Sequence, residues 1–232
     1  MRHVGILLSA GKGTRMGTEI PKQYMDLLGK PVIYYSLKTM QESFFDEIIM
    51  VVAKDDIDYV KKEIVDKFSF NKVSKIVAGG KERSDSVYLG LKEIENPSDV
   101  YVYIHDGARP MLTREHVLNL KEDVECFGTA VLGVTSKDTV KLIDENGFVR
   151  LTPQRDYVVN VQTPQAFMAS DIIKAYESFL KDEGAFVTDD ASVMEVYGKL
   201  PVHITKGSYT NIKLTTPEDF LLAERLIKEL EK

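Results

Sequence analysis

A chain of 232 residues suits one large α/β domain or two small ones, and 44% hydrophobic with 28% charged residues is the balance of an ordinary globular protein. A formal net charge of −6 argues against a broad basic face, and so against nucleic acid as a partner. The single cysteine, Cys126, excludes an internal disulfide and most cysteine-built metal sites, and reads as a small apolar helix residue; the longest apolar run, Ile48 to Ala53, is far below membrane-spanning length.

In chain order, Met1-Arg2-His3 passes directly into an apolar strand, Val4 to Leu8, with no visible leader, and a cytoplasmic protein is expected. That strand breaks into Ser9-Ala10-Gly11-Lys12-Gly13-Thr14-Arg15-Met16-Gly17, followed by Pro21-Lys22-Gln23. Glycines let backbone N–H groups approach an anion closely, and Lys12, Arg15 and Lys22 neutralise it. No G-x-x-x-x-G-K-[ST] is present, and the dinucleotide pattern begun by Gly11-Lys12-Gly13 lacks its third glycine. A basic surface turn is the plainer alternative. Ile48–Val52 and Val100–Ile104 are continuous β-prone runs, as in parallel strands buried on both faces. Ile57–Phe68 and Ser84–Ile94 read as amphipathic helices, the second capped by Ser84 or Asp85.

Residues 136–160 break this rhythm. Thr139–Ile143 and Phe148–Leu151 read as short strands joined by Asp144-Glu145-Asn146-Gly147, a strong hairpin signal. Their charges keep the hairpin out of a core, and an isolated hairpin is marginal in water. It therefore needs a partner surface, either the same arm of a second subunit or its own domain. Thr216-Pro217-Glu218-Asp219 then supplies the cap and first turn of a final helix. Strand–helix alternation implies one α/β domain over 1–232: a doubly wound, Rossmann-like, mostly parallel sheet with a protruding β-hairpin arm. Ligands would lie outside the carboxyl ends of its strands, where the Gly-rich turn and His105-Asp106 sit.

The first of these segments resembles the G-x-G-x-R-M…P-K pattern of sugar-nucleotide-type nucleotidyltransferases. Three more accompany it: Gly79-Gly80-Lys81-Glu82-Arg83-Ser84-Asp85-Ser86, His105-Asp106-Gly107-Ala108-Arg109-Pro110, and Asn211 through Asp219. Together, over residues 4 to about 228, they resemble the 2-C-methyl-D-erythritol 4-phosphate cytidylyltransferase family of non-mevalonate isoprenoid biosynthesis. The resemblance implies transfer of CMP from CTP to the alcohol phosphate, with release of pyrophosphate and formation of 4-diphosphocytidyl-2-C-methyl-D-erythritol. Such chemistry needs no acid–base catalyst. A phosphate monoester, with its second pKa near about 6, already carries a nucleophilic oxygen at neutral pH. Cations, a Mg²⁺ carboxylate and backbone N–H groups suffice.

The resemblance assigns Arg15 and Lys22 to the α-phosphate in the transition state, and Ala10, Gly11 and Gly13 to the CTP loop. Gly80, Lys81 and Ser86 would read the cytosine edge. Arg83 and Arg109 would face the alcohol phosphate, with a solvated charge at a helix entry as the alternative for Arg83. Asp106 is the Mg²⁺ candidate, with a loop-holding role as the alternative, and His105 reads as structural. Lys213, together with Arg155 and Thr139 on the arm, would position the methylerythritol phosphate, Arg155 lying eight residues before Thr163-Pro164-Gln165. Lys12 would touch the β/γ-phosphates or solvent, and Thr188 would touch substrate or belong to a helix cap. In a homodimer built through the 136–160 arm, Arg155 and Thr139 would reach the other subunit's site. Two departures stand out: Arg155-Asp156-Tyr157 lacks the tryptophan common in relatives, and Thr210 replaces a frequent acidic residue. The rival readings are a ribitol-5-phosphate cytidylyltransferase and, from another class, a non-catalytic nucleotide-binding regulator.

Overall fold

The computed structural model describes residues 1–11, 20–182, 184 and 186–230; Lys12, Gly13 and Arg15 lie outside the described residues. In chain order the elements are β1 (Arg2–Ser9), β2 (Asp26–Leu27), β3 (Lys30–Pro31), α1 (Val32–Gln41), β4 (Glu47–Val52), α2 (Ile57–Tyr59), β5 (Val73–Ala78), α3 (Arg83–Leu91) and β6 (Val100–Asp106). There follow α4 (Arg114–Phe127), β7 (Thr129–Thr135), β8 (Leu142–Ile143), β9 (Val149–Leu151), β10 (Val159–Met168), α5 (Ala169–Phe179), α6 (Asp190–Val193), β11 (His203–Lys206) and α7 (Pro217–Leu230). The helix begun by α2 continues with wider π-type turns over Val60–Asp66.

Among the described residues, seven strands form one sheet in the order β11-β7-β10-β6-β1-β4-β5. All neighbours are parallel except β10, which runs antiparallel to both β6 and β7. The two strands expected to be buried on both faces are so: every residue of β6 and all but the first of β4 are buried. Each face carries its own core. Leu37, Met40, Met50, Tyr103, Leu120 and Val124 pack on one side; Val87, Leu91, Val102, Ile172, Tyr176 and Val193 pack on the other. At roughly 1.5–3 kcal/mol per buried large aliphatic or aromatic side chain, these layers fix the sheet as a rigid base.

The chain leaves β1 for β4 on one side and reaches β6 on the other. The carboxyl ends of β1 and β6 therefore flank a topological switch point, the place where open α/β sheets bind ligands. A third, smaller core of Leu27, Val32, Met111, Leu214, Ala223 and Ile227 docks α7 beside this crevice. Burial of Leu214 places Lys213 at the crevice edge.

The arm is smaller than the sequence suggests. Strands β8 and β9 pair only with each other, with Leu142 opposite Leu151, and residues 139–141 are not in strand. Gly147 takes φ +85°, the left-handed conformation that glycine adopts without strain. The Asp144 carboxylate accepts the Asn146 and Phe148 N–H groups across the turn. Leu142, Ile143, Phe148, Val149 and Leu151 are all at least 50% exposed. No helix among the described residues is long and apolar enough to cross a membrane.

Candidate active site

A cavity of about 280 Å³ opens at the switch point. It is lined by Ala10 and Gly11 after β1, by Lys22 and Gln23, by Gly80, Lys81, Arg83 and Ser86, by Asp106 and Ala108 after β6, and by Lys213 and Thr215 before α7. The structure thus gathers the expected residues Ala10, Gly11, Lys22, Gly80, Lys81, Ser86, Arg83, Asp106 and Lys213 in one place. Thr139 and Arg155 do not line the cavity; they are exposed at the arm.

The side of the cavity next to Ala10 and Gly11 is built around two close approaches. Gln23, buried behind Lys22, donates both amide hydrogens to backbone carbonyls, Ser9 O at 2.8 Å and Gly11 O at 3.1 Å. Both carbonyls are thereby satisfied within the protein. A Cβ on Gly79 would collide with the Ala10 side chain, so the two loops touch only because Gly79 has none. Ser86 does not present a free hydroxyl: its Oγ accepts the Gly80 N–H and donates to Glu82 O, both at 3.1 Å. It holds the Gly80 loop in shape. The cap of α3 is Glu82 rather than Ser84 or Asp85, because Asp85 reaches back to the Glu82 N–H at 2.9 Å in a reciprocal capping box.

The opposite wall is a charged cluster. Asp106 Oδ2 accepts from Lys213 Nζ at 2.7 Å, and Oδ1 accepts from Arg83 Nε at 3.3 Å. Arg83 also grips the buried Asp190 with both terminal nitrogens, at 2.9 and 2.8 Å, and Tyr176 donates its hydroxyl to Asp190 Oδ1 at 2.6 Å. Burial alone would push the Asp106 carboxyl up. The Arg83 guanidinium and the Lys213 ammonium outweigh it and hold the group well below the usual carboxylate range. Asp106 is therefore ionised at neutral pH. Arg83 is not a solvated helix-entry charge: a buried carboxylate holds it.

Arg109 turns inward, where an exposed phosphate ligand was expected. Its guanidinium donates to Asn211 O at 2.8 Å, it does not line the cavity, and its Nε and Asn211 Oδ1 are both buried without a partner. Burial lowers its pKa from the ordinary value, offset by Asp106. His105 is fully buried and held neutral, its pKa brought down to about 4 chiefly by burial. Thr188 flanks the cap of α6, where Asp189 and Ser192 form a capping box and Ser192 Oγ accepts the Thr188 N–H. Cys126 lies exposed on α4. Sequence reasoning missed Asp190, Gln23 as a backbone clasp, and Asn211. The adjacent acids Asp189-Asp190 were the one available signal for the first.

Of the two carboxylates that line the cavity among the described residues, Asp106 and Glu82, Asp106 has the donor chemistry of a Mg²⁺ ligand, with Lys213 and Arg83 on its two oxygens. It offers an ionised hard-oxygen donor at the cavity, and Mg²⁺ commonly takes one or two carboxylates with the remainder from phosphates and water. Among the described residues no group of three or more His, Cys, Asp or Glu side chains gathers to hold a metal by itself. A donor set completed by substrate phosphates is consistent with that chemistry.

Residues 4–229 match the family model of 2-C-methyl-D-erythritol 4-phosphate cytidylyltransferase. A 2-C-methyl-D-erythritol 4-phosphate cytidylyltransferase from Lachnoclostridium phytofermentans is 45% identical over 224 residues, covering 97% of this chain and 95% of the relative. One from Clostridium botulinum strain Eklund 17B is 48% identical over 223 residues, covering 96% and 97%. Among solved structures, a 4-diphosphocytidyl-2C-methyl-D-erythritol synthase from Anaerococcus prevotii superposes with a TM-score of 0.86 at 35% identity, covering 98% of each chain. The Francisella tularensis cytidylyltransferase gives 0.79 at 28% identity, covering 97% of this chain and 99% of that one.

Proposed function

The chain belongs to the 2-C-methyl-D-erythritol 4-phosphate cytidylyltransferase family, and from that premise we propose how its residues divide the work. The enzyme transfers CMP from CTP to 2-C-methyl-D-erythritol 4-phosphate, forming 4-diphosphocytidyl-2-C-methyl-D-erythritol and pyrophosphate. The ribitol-5-phosphate reading is not favoured by these matches.

In the proposed reaction the alcohol's phosphate oxygen forms a bond to the α-phosphorus of CTP. The bond from that phosphorus to the bridging oxygen breaks, and pyrophosphate leaves with the electron pair. Two anions must be brought together, so the chain's part is positioning and charge stabilisation. Lys22, on the cavity wall beside the Ala10-Gly11 loop, would act with Arg15 on the charge developing at the α-phosphate. Gln23 satisfies the carbonyls of Ser9 and Gly11, and the loop's N–H groups would face the triphosphate. Backbone groups of the Gly80 loop, held by Ser86, would read the cytosine edge. Lys213 and Arg83 would meet the alcohol phosphate. Asp106 would hold Mg²⁺, which when bound supplies neutralisation of triphosphate charge.

The same reading makes the protein a homodimer. The arm exposes five large apolar side chains, and Arg155 and Thr139 stand away from their own chain's cavity. Exchange of arms would bury the first and deliver the second to the partner's site. A cytoplasmic location goes with this reading, since CTP is made there. The observation that carries the assignment is the Arg83–Asp106–Lys213 cluster sharing one switch-point cavity with Lys22, Ala10 and Gly11. The test is pyrophosphate release from CTP and Mg²⁺ with 2-C-methyl-D-erythritol 4-phosphate and, in parallel, ribitol 5-phosphate. Release with the first alone is expected; release only with the second would overturn the substrate assignment.

A further inference from the structure

We propose that Thr163-Pro164-Gln165, on β10, is the positioning element that sets Asp106, Lys213 and Arg83 relative to one another; the proposal rests on the reading of the site given above. Between Val161 and Gln165 the register of β10 against β7 shifts, which leaves residues 162–164 outside the regular ladder while Gln165 pairs with Ile104 and Val131. Such irregularities re-aim side chains. Here they aim at three places at once.

The first is Asp106. Thr163 Oγ1 accepts the Asp106 N–H at 3.1 Å and lies 3.0 Å from His105 Nδ1. His105 Nε2 faces Arg109 O, which can only accept, at 3.2 Å, and Ser36 Oγ at 3.3 Å, so in the neutral imidazole Nε2 carries the proton and Nδ1 accepts from the Thr163 hydroxyl. The Arg109 N–H in turn bonds Asp106 O at 3.0 Å. The turn carrying Asp106 is therefore pinned at both ends by one hydroxyl and one imidazole. The second is Lys213. Thr163 O accepts from Nδ2 of the fully buried Asn211 at 3.0 Å, two residues before that lysine. The third is Arg83. Gln165 donates to Asp189 Oδ2 and accepts the Ala191 N–H, both at 2.8 Å, bracketing Asp190, which holds the guanidinium.

The near-isosteric Thr163→Val removes the hydroxyl without opening a cavity. It should cut kcat at least about tenfold while CTP KM stays within about twofold, and Thr163→Ser should restore most of kcat, since displacement of a positioned group by about 1 Å can cost about a hundredfold. Nitrogen-15 NMR of the His105 ring gives a readout that a role in stability alone would not move. A hydrogen-bonded Nδ1 resonance is expected in the wild type and in Thr163→Ser, and a resonance shifted to that of an Nδ1 without a hydrogen bond in Thr163→Val. Gln165→Met is the second variant, read if Thr163→Val does not fold; it should raise KM for the alcohol phosphate through Arg83. Folded Thr163→Val with wild-type kcat and an unchanged Nδ1 resonance overturns the proposal, as does Gln165→Met with unchanged kinetics. Asp106→Asn separates the two levels. If it is inactive while Thr163→Val is fully active, positioning fails and the site stands; if it keeps wild-type kcat, the site reading itself fails.

Discussion

Lys22 enters the cavity from the short helical turn Lys22–Tyr24, whose other two residues are buried. Lys22→Ala and Arg15→Ala should each lower kcat by two to three orders of magnitude, about 3–4 kcal/mol, with a smaller rise in KM, because both act on charge that grows toward the transition state. Steady-state kinetics alongside thermal melting decides this; a Lys22→Ala enzyme keeping more than about a tenth of wild-type kcat would sink the assignment. His105 gives a stability prediction of known sign. Its pKa is about 4 folded against 6.5 for the free side chain, so below pH 6.5 the unfolded chain takes up a proton that the folded chain refuses. Stability should fall as pH drops through that window, by about 2 kcal/mol between pH 7.5 and 5, and denaturant titration should find His105→Gln lacking this share of the slope. At this scale the sequence was legible for the place of a residue wherever its own segment sets that place, as with Lys22, Asp106 and Lys213 at the cavity. It was not legible where the role depends on a distant partner. Arg83 meets Asp190 across 107 positions, and Arg109 meets Asn211 across 102, so neither guanidinium's direction could be read from its neighbours.

Elements were legible where local chemistry and burial agree. The buried strands β4 and β6 follow from unbroken apolar runs, and α7 from Thr216-Pro217 with its early acids. In α7 the Asp219 carboxylate accepts the Thr215 and Thr216 N–H groups at 2.7 and 2.8 Å, two residues after Lys213. Burial would raise that carboxyl, but these bonds bring it below its ordinary value. Asp219→Ala should therefore cost about 1 kcal/mol, a fall in Tm of about 2–4 °C measured by calorimetry, and an unchanged Tm would show that the cap contributes nothing. Two elements escaped sequence reading for identifiable reasons. The cap of α3 was misplaced by two or three residues because Glu82 is an unusual cap, made effective only by Asp85. The role of β10 was invisible because it is read across the sheet: its Thr163 and Gln165 act on β6, on Asn211 and on α6, none of which is adjacent in sequence.

At the scale of the whole molecule the open question is how the arm is satisfied. Strands β8 and β9 have no neighbour but each other in the described chain, and their apolar side chains face solvent. A two-stranded ribbon of this kind is marginal alone. Under the arm exchange proposed above, that exposure would be removed and each active site would be composite, with Lys22 and Lys213 from one chain and Arg155 from its partner. The expected outcome is complementation. Lys22→Ala and Arg155→Ala are each expected to be inactive as homodimers. After subunit exchange, a mixed dimer would hold one site lacking both side chains and one intact site. Activity should then reappear at about half of wild type per heterodimer, a recovery possible only when residues that act as a unit come from different chains. If Arg155 served its own subunit, every site in the mixture would lack one residue and no activity would return. Heterodimers verified by differential tagging that stay inactive would rule out the shared site, and a monomer by sedimentation would remove its premise.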